Sequence, residues 1–437
     1  GHAESILFNG PTTDEIFQLQ ASGDQLFALP GGYGSGFNKL NRSAAICRFE
    51  KQQWINHTYP GYGDLIDISV GQQPAGQWYI SSWGDGLLET ENAEIIRQFD
   101  DNNSPLYAYA GDQVRVGDIC PDGQGNLWMT SFGAEHPLKI LRQDRTWVEP
   151  QYEALRNETV RELICTDDGW LWGYIHDSPT VFAVNPGSTP ADPSDDEVMI
   201  REILDFNGNS FADRITGLIE DREGQIWIAT DEGVAVDYQP EAFFLHDDYR
   251  PNRPRLTMKG YTQYILRDNQ VTGMAVDPAN RKWFATQRAG VFVFSEDARQ
   301  LEEHYTAASS PLLSDTIHSV AITESGEVFM ATAHGICSYR TGTSEGRQDF
   351  TDAYVFPNPV PPGYQGLITI TNLVEDVDVK ITDVAGNLVH ETMAEGGQAT
   401  WNGRDFSGRK VASGVYLIFM TNEDGSKTHV GKLLFMK

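Results

Sequence analysis

The residues best suited to chemistry sit in short turns that follow apolar strands. These turns hold Trp83 and Asp85, Glu135 and His136, His176 and Asp177, Asp231 and Glu232, Gln287 and Arg288, and His334. If the strands ring a common axis, residues far apart in sequence converge on one face and form a rim around a channel. Imidazoles, carboxylates, an arginine and an indole in such a rim suit the capture of a polar ligand. Catalysis asks for more: a nucleophile with its base, paired carboxylates, or a metal-activated water. His136 beside Glu135, or His334, comes nearest to a metal-assisted acid–base pair, yet no spacing selects either. The expectation is therefore a ligand-binding rim of Trp83, Asp85, Glu135, His136, His176, Asp231, Arg288 and His334, with no catalytic residue. The blander reading is ordinary hairpin turns, where Asp, Asn and Gly belong for backbone reasons.

A second candidate is the run from Asp205 through Asn207 and Asn209 to Asp213, whose oxygen side chains alternate as in calcium loops. It lacks the sixth-position Gly and the terminal Glu of such loops, and an Asn-Gly turn between strands explains it equally well. Possible calcium is thus the one cofactor expected. Cys47, Cys120, Cys165 and Cys337 are too few and too spread for a disulfide framework. They read as buried thiols, since Cys120 and Cys165 occupy one slot of neighbouring repeats and such slots usually lie beyond bridging distance.

The elements that would position these residues are repeats. Asp122-Gly123-Gln124-Gly125-Asn126-Leu127-Trp128 returns as Asp221-Arg222-Glu223-Gly224-Gln225-Ile226-Trp227, and again from Asp277 to Trp283. Weaker copies end at Trp78, at Trp172, at Phe329 and at Phe27, with spacings of about fifty residues, the length of one four-stranded propeller blade. The copies predict an all-β, seven-bladed β-propeller over 1–345, with 5–8 supplying the strand that closes the ring. The aromatic that leads each second strand is expected to fill the interface between blades.

Composition bounds the partners. Lys and Arg number 32 against 62 Asp and Glu, a net charge of −30, and the 355–437 segment with nine acids and seven bases carries little of it. An acidic propeller repels nucleic acid and anionic headgroups. No apolar run is long enough to span a membrane. The chain opens on Gly1-His2-Ala3 without Met or a signal peptide, which reads as a processed chain.

The last eighty or so residues read as a small immunoglobulin-like β-sandwich over 352–437, with turn signals every eight to twelve residues. Pro357-Asn358-Pro359, then Asp383 and Gly386 in a hairpin turn, Trp401 with Gly403, Gly414-Val415-Tyr416, and Lys432 near the end follow in order. This series resembles the C-terminal sorting domain of the Bacteroidetes type IX secretion system. The repeat at 214–234 resembles the regulator propeller of hybrid two-component sensors, but a sandwich follows here instead of a membrane helix and kinase. Together the two parts resemble the PorZ-like surface components of type IX secretion, which carry two propellers where one is seen here. That implies a fragment lacking an upstream propeller, or another exported propeller protein.

The resemblance implies a non-enzymatic protein at the cell surface, associated with the outer membrane after export through the periplasm. It would assist the type IX sortase and attachment-complex proteins in joining cargo to anionic lipopolysaccharide, with the tail kept on the mature chain. Two other readings remain open: an exported glycan-binding or adhesin propeller that loses its tail, and a secreted lyase, since lyases with similar propellers use His and Glu with a divalent cation.

Overall fold

The computed structural model describes residues 9–70, 77–111, 113–189, 192–246, 248–258, 260–422 and 424–436. The predicted closing strand at 5–8 lies outside them. Strands dominate; the described residues hold one short α-helix, Ala242–Leu245, and one 3-10 turn, Glu153–Leu155. Among the described residues no helix is long and apolar enough to cross a membrane. The chain divides into two compact units. One runs to Ala275 and adds Lys282–Ala321 and Phe329–Cys337, while the other takes Val276–Arg281, Ile322–Val328 and Ser338–Lys437.

The first unit is built from antiparallel meanders in chain order. Gln18–Ser22, Gln25–Leu29, Ser43–Glu50 and Gln53–Gly63 form a sheet in that order, as do Val160–Cys165, Leu171–Ile175, Thr180–Asn185 and Glu197–Glu202. The repeated Asp-x-x-Gly turn has a plain physical cause. The Asp221 carboxylate accepts the N–H groups of Glu223 (2.9 Å) and Gln225 (3.0 Å), Gly224 takes φ +75°, and Trp227 Nε1 donates to the other carboxylate oxygen at 2.9 Å. One aspartate thereby fixes the turn and the indole that follows it. Lys282 of the next repeat reaches the same oxygen at 2.9 Å, with both side chains essentially inaccessible.

Phe27, Trp78, Trp128, Trp172, Trp227, Trp283 and Phe329 each lie on the second strand of their repeat and are at most 4% exposed. Phe27 meets Trp78 edge-on at 5.3 Å, and Trp172 packs in one cluster with Ile215, Leu218 and Ile228 of the following repeat. The aromatics therefore fill the spaces between successive sheets, as a propeller core requires.

The expected four-strand layout does not hold throughout. The sheet of Ile215–Glu220, Ile226–Thr230 and Gly233–Asp237 has three strands, and the segment that follows forms the short helix and a separate hairpin, Arg255–Met258 with Tyr261–Tyr264. Pro240, Pro251 and Pro254 occupy that segment. Proline lacks the N–H that an outer strand must donate.

The cysteines also depart from expectation. Only Cys47 is fully buried; Cys120, Cys165 and Cys337 are half-buried, and all four are free. The equivalent slots are closer than supposed: the Cys165 N–H donates to Cys120 Sγ at 2.8 Å. The reason is a β-bulge in each inner strand, between Val116 and Ile119 and between Arg161 and Leu163, which turns consecutive inner strands toward each other.

In the second unit, Tyr354–Phe356, Ile368–Thr371 and Gln398–Trp401 form one sheet. Leu388–Met393, Asp378–Asp383, Gly414–Thr421 and Thr428–Phe435 form another, in that order. Their inner faces enclose Ile370, Val379, Ile381, Trp401, Ile418 and Leu433. Trp401 Nε1 donates to the Arg404 carbonyl at 2.8 Å, and the Tyr416 hydroxyl donates to the Ala412 carbonyl at 2.9 Å. Asp383 caps the Gly386 turn by accepting from Ala385 and Asn387, each at 2.9 Å. A Cβ on Gly403 would stand 3.0 Å from Phe435, and φ is +70° there. Pro357-Asn358-Pro359 shields the edge strand: the Asn358 side chain donates to the Lys432 carbonyl (2.7 Å) and accepts from the Leu434 N–H (3.1 Å).

Candidate functional site

The inner strands of the first unit line a channel, and their bulges decide what faces it. Aligning them places Gln18, Asp67, Asp118, Glu162, Gly217, Gly273 and Ser319 at one level. Phe17, Ile66, Gly117, Arg161, Thr216, Thr272 and His318 form the level before it. A bulge leaves backbone N–H groups without ladder partners, and side chains of the neighbouring strand take them. Asp67 accepts from Ile68 (2.8 Å) and from Ile119 of the next strand (2.9 Å), and Asp118 accepts from Glu162 (2.8 Å). On the far side, Thr272 Oγ1 donates to the Ile317 carbonyl at 2.6 Å and the Leu19 N–H donates to Ser319 Oγ at 3.1 Å, which ties the last inner strand to the first.

Inside this ring is a cavity of about 540 Å³ bordered by Tyr33, Trp83, Asp118, Arg161, Glu162 and Thr216, and by Gly217 and Gly273. Burial, then the Asp118 charge, pushes the Asp67 carboxyl up to about 8 against the pull of its two N–H donors. Burial and Asp118 raise Glu162 likewise to about 8, opposed by the Leu218 N–H and by Arg161. Burial works against the Arg161 charge, but Tyr174, Tyr33, Asp118 and Glu162 outweigh it, so the guanidinium is held charged. Tyr33 is pushed up to about 12 by burial.

A loop of the first repeat, residues 30–42, walls the cavity. The backbone N–H groups of Asn41 and Arg42 donate to the buried Asp64 carboxylate at 2.8 and 3.0 Å, and the Arg42 guanidinium donates to the Pro30 and Gly31 carbonyls. Phe37, at φ +59°, packs on Trp83 (5.9 Å), Phe132 (4.7 Å) and His176 (4.6 Å), residues of three successive repeats. Tyr33 lies 4.4 Å from Trp83 by ring centroids.

The structure disperses most of the rim predicted from sequence. Trp83 borders the cavity but is buried, with Nε1 donating to the Phe37 carbonyl at 2.8 Å, and His176 packs on Phe37 with its pKa lowered by burial and by Arg161. Asp85 accepts from the Gly63 N–H (2.8 Å) and the Ser82 hydroxyl (3.2 Å), a turn-forming role. Glu135 pairs with Arg156, and the neighbouring His136 carbonyl accepts from Lys139 at 2.8 Å. Asp231 accepts from the Asp213 and Arg214 N–H groups, while Arg288 and His334 are exposed. In the 205–213 loop, Asp205 accepts from Asn207 (2.8 Å) and Asn209 (2.9 Å) around Gly208 at φ +81°. The described residues hold no cluster of three His, Cys, Asp or Glu placed for a metal ion.

Sequence reasoning missed Tyr33, Asp118, Arg161, Glu162 and Thr216. For Asp118 and Glu162 the repeat alignment holds a signal, since the apolar inner strands carry Asp, Asp, Glu, Gly, Gly, Ser and Gln at one register position, but it does not show which face they take.

A two component regulator propeller model matches residues 210–232, and an FlgD Ig-like domain model matches residues 364–426. No curated protein matches the chain. Among solved structures, PorZ, an essential bacterial surface component of the type-IX secretion system of Porphyromonas gingivalis, matches 100% of this chain at 28% identity with a TM-score of 0.75. The chain is similar to PorZ along its whole length. It spans 61% of the PorZ chain. The extracellular domain of a hybrid two component system from B. thetaiotaomicron matches 97% of this chain and 56% of its own at 12% identity, TM-score 0.53. Virginiamycin B lyase from Staphylococcus aureus matches 75% of this chain and 95% of its own at 8% identity, TM-score 0.51. At those identities they share the fold alone. PorZ thus carries both parts of the architecture, propeller repeats followed by an Ig-like sandwich, that the two family models mark separately.

Proposed function

We propose that this protein is a non-enzymatic surface component of a type IX secretion system, with a propeller over 1–345 and a sorting domain over 352–437. The observation that carries the reading is the match to PorZ over the entire chain at 28% identity, sandwich included. Within that reading it assists the sortase and attachment complex in joining cargo to lipopolysaccharide at the outer membrane.

Charge constrains how a glycan with anionic groups is met. A chain of net charge −30 repels such a partner unless cations bridge the two or a local basic group receives it. Lipopolysaccharide binding is therefore expected to weaken on chelation of divalent cations or to depend on arginines in the channel.

Mass spectrometry of the surface-bound native protein tests the assignment. Peptides from the 355–436 segment on the mature chain support a machinery component, whereas their loss on export identifies ordinary cargo such as an adhesin.

A further inference from the structure

We infer that the channel cavity binds a small oxyanion, a carboxylate or phosphate carried on a ring of sugar size, through the guanidinium of Arg161. The inference is read from the channel alone and holds whether or not the protein serves secretion.

It begins with which polar groups around the cavity are already occupied. Asp67 and Asp118 spend their oxygens on backbone N–H groups exposed by the bulges, and Glu162 accepts from the Leu218 N–H. Arg161 is different. Its guanidinium lies over the Tyr33 ring at 5.1 Å and makes no hydrogen bond or ion pair to any described protein group, although Asp118 and Glu162 stand nearby. Thr216, at the same register on the next inner strand, has a buried Oγ1 that also lacks a partner. A guanidinium without a protein hydrogen bond and a buried hydroxyl without a partner thus stand on adjacent strands beside one cavity, and a buried hydroxyl of this kind calls for a partner.

The chemistry of that partner follows from the groups. A guanidinium offers a planar fork that matches carboxylate or phosphate oxygens, and the Thr216 hydroxyl suits a ligand hydroxyl. Tyr33 and Trp83 border the cavity, and Gly217 and Gly273 add no side chain to its lining. The volume of about 540 Å³ is within the range of small-ligand sites. Of the acids that border the cavity, Glu15 is paired with Arg42, Asp118 accepts from the Glu162 N–H, Glu162 is pushed up to about 8 by burial, and Asp14 is exposed to water. Asp118, Tyr33 and Tyr174 are the other titratable groups facing Arg161.

The test is calorimetric titration of the purified chain with D-glucuronate, glucose 6-phosphate and D-glucose. At least one oxyanion is expected to bind saturably where D-glucose does not, and whichever binds tighter separates a carboxylate from a phosphate ligand. Arg161→Gln should weaken binding about tenfold or more, Thr216→Val by about two- to tenfold, and Arg161→Lys should restore part of the loss. Gly273→Val, which adds bulk on another inner strand bordering the cavity, should also weaken binding. If Arg161→Gln fails to fold, Thr216→Val and Gly273→Val still decide the matter. Binding of D-glucose equal to both oxyanions, no binding of either oxyanion at millimolar concentration, or unchanged affinity in these variants overturns the inference.

Discussion

Asp67 and Glu162 set the pH behaviour of the channel. Both carboxyls titrate near 8 in the folded protein, against about 4 in an unfolded chain. Their folded pKa is raised, so the stability they allow is fully present below about pH 4 and is lost as pH rises through about 8. The melting temperature should fall across that window. Glu162→Gln keeps an oxygen for the Leu218 N–H and removes the ionisation, so its pH profile should be flatter; an unchanged slope in thermal melts from pH 5 to 8 would count against the buried carboxyl. Lys282 offers a second residue-level test. Its ammonium meets Asp221 with both side chains buried, and Lys282→Met leaves that carboxylate without its cation. The expected cost is about 3–5 kcal/mol in urea unfolding.

At the level of elements, the tail depends on its last strand. Thr428–Phe435 is an edge strand held by Asn358, and Trp401 is the largest side chain in the core it covers. Trp401→Ala should destabilise the sandwich by about 3–5 kcal/mol, and Asn358→Ala by about 1–2 kcal/mol, measured by tryptophan-independent circular dichroism melts. Much of this architecture was legible in the sequence. The Asp-x-x-Gly-x-x-aromatic copies announced their turns because one aspartate, one glycine and one aromatic suffice to define them, and Asp383 to Gly386 announced a hairpin in the same way. What the sequence concealed was the effect of irregularity. Bulges in the inner strands turn Asp67, Asp118, Arg161 and Glu162 to the channel, and a bulge shifts register without any distinctive residue type. Two of the rim residues take turn-forming roles for a related reason. Asp85 and Asp231 look available in a turn but spend their carboxylates on the backbone that makes it. The loop from Tyr33 to Arg42 was invisible because its contacts run to three other repeats, which no local pattern encodes.

At the level of the whole molecule, the outer face of the Gly414–Thr421 and Thr428–Phe435 pair leaves Val415, Phe419, Val430 and Leu434 between 38% and 47% exposed. The secretion reading can be tested on this face. Phe419→Ser should then reduce the surface-retained fraction while leaving the melting temperature within a degree or so, as surface substitutions do. The secretion role is measured most directly by surface proteomics after deletion of the gene. Many unrelated exported proteins should disappear from the cell surface together. Loss of one activity, with all other exported proteins retained, would contradict it.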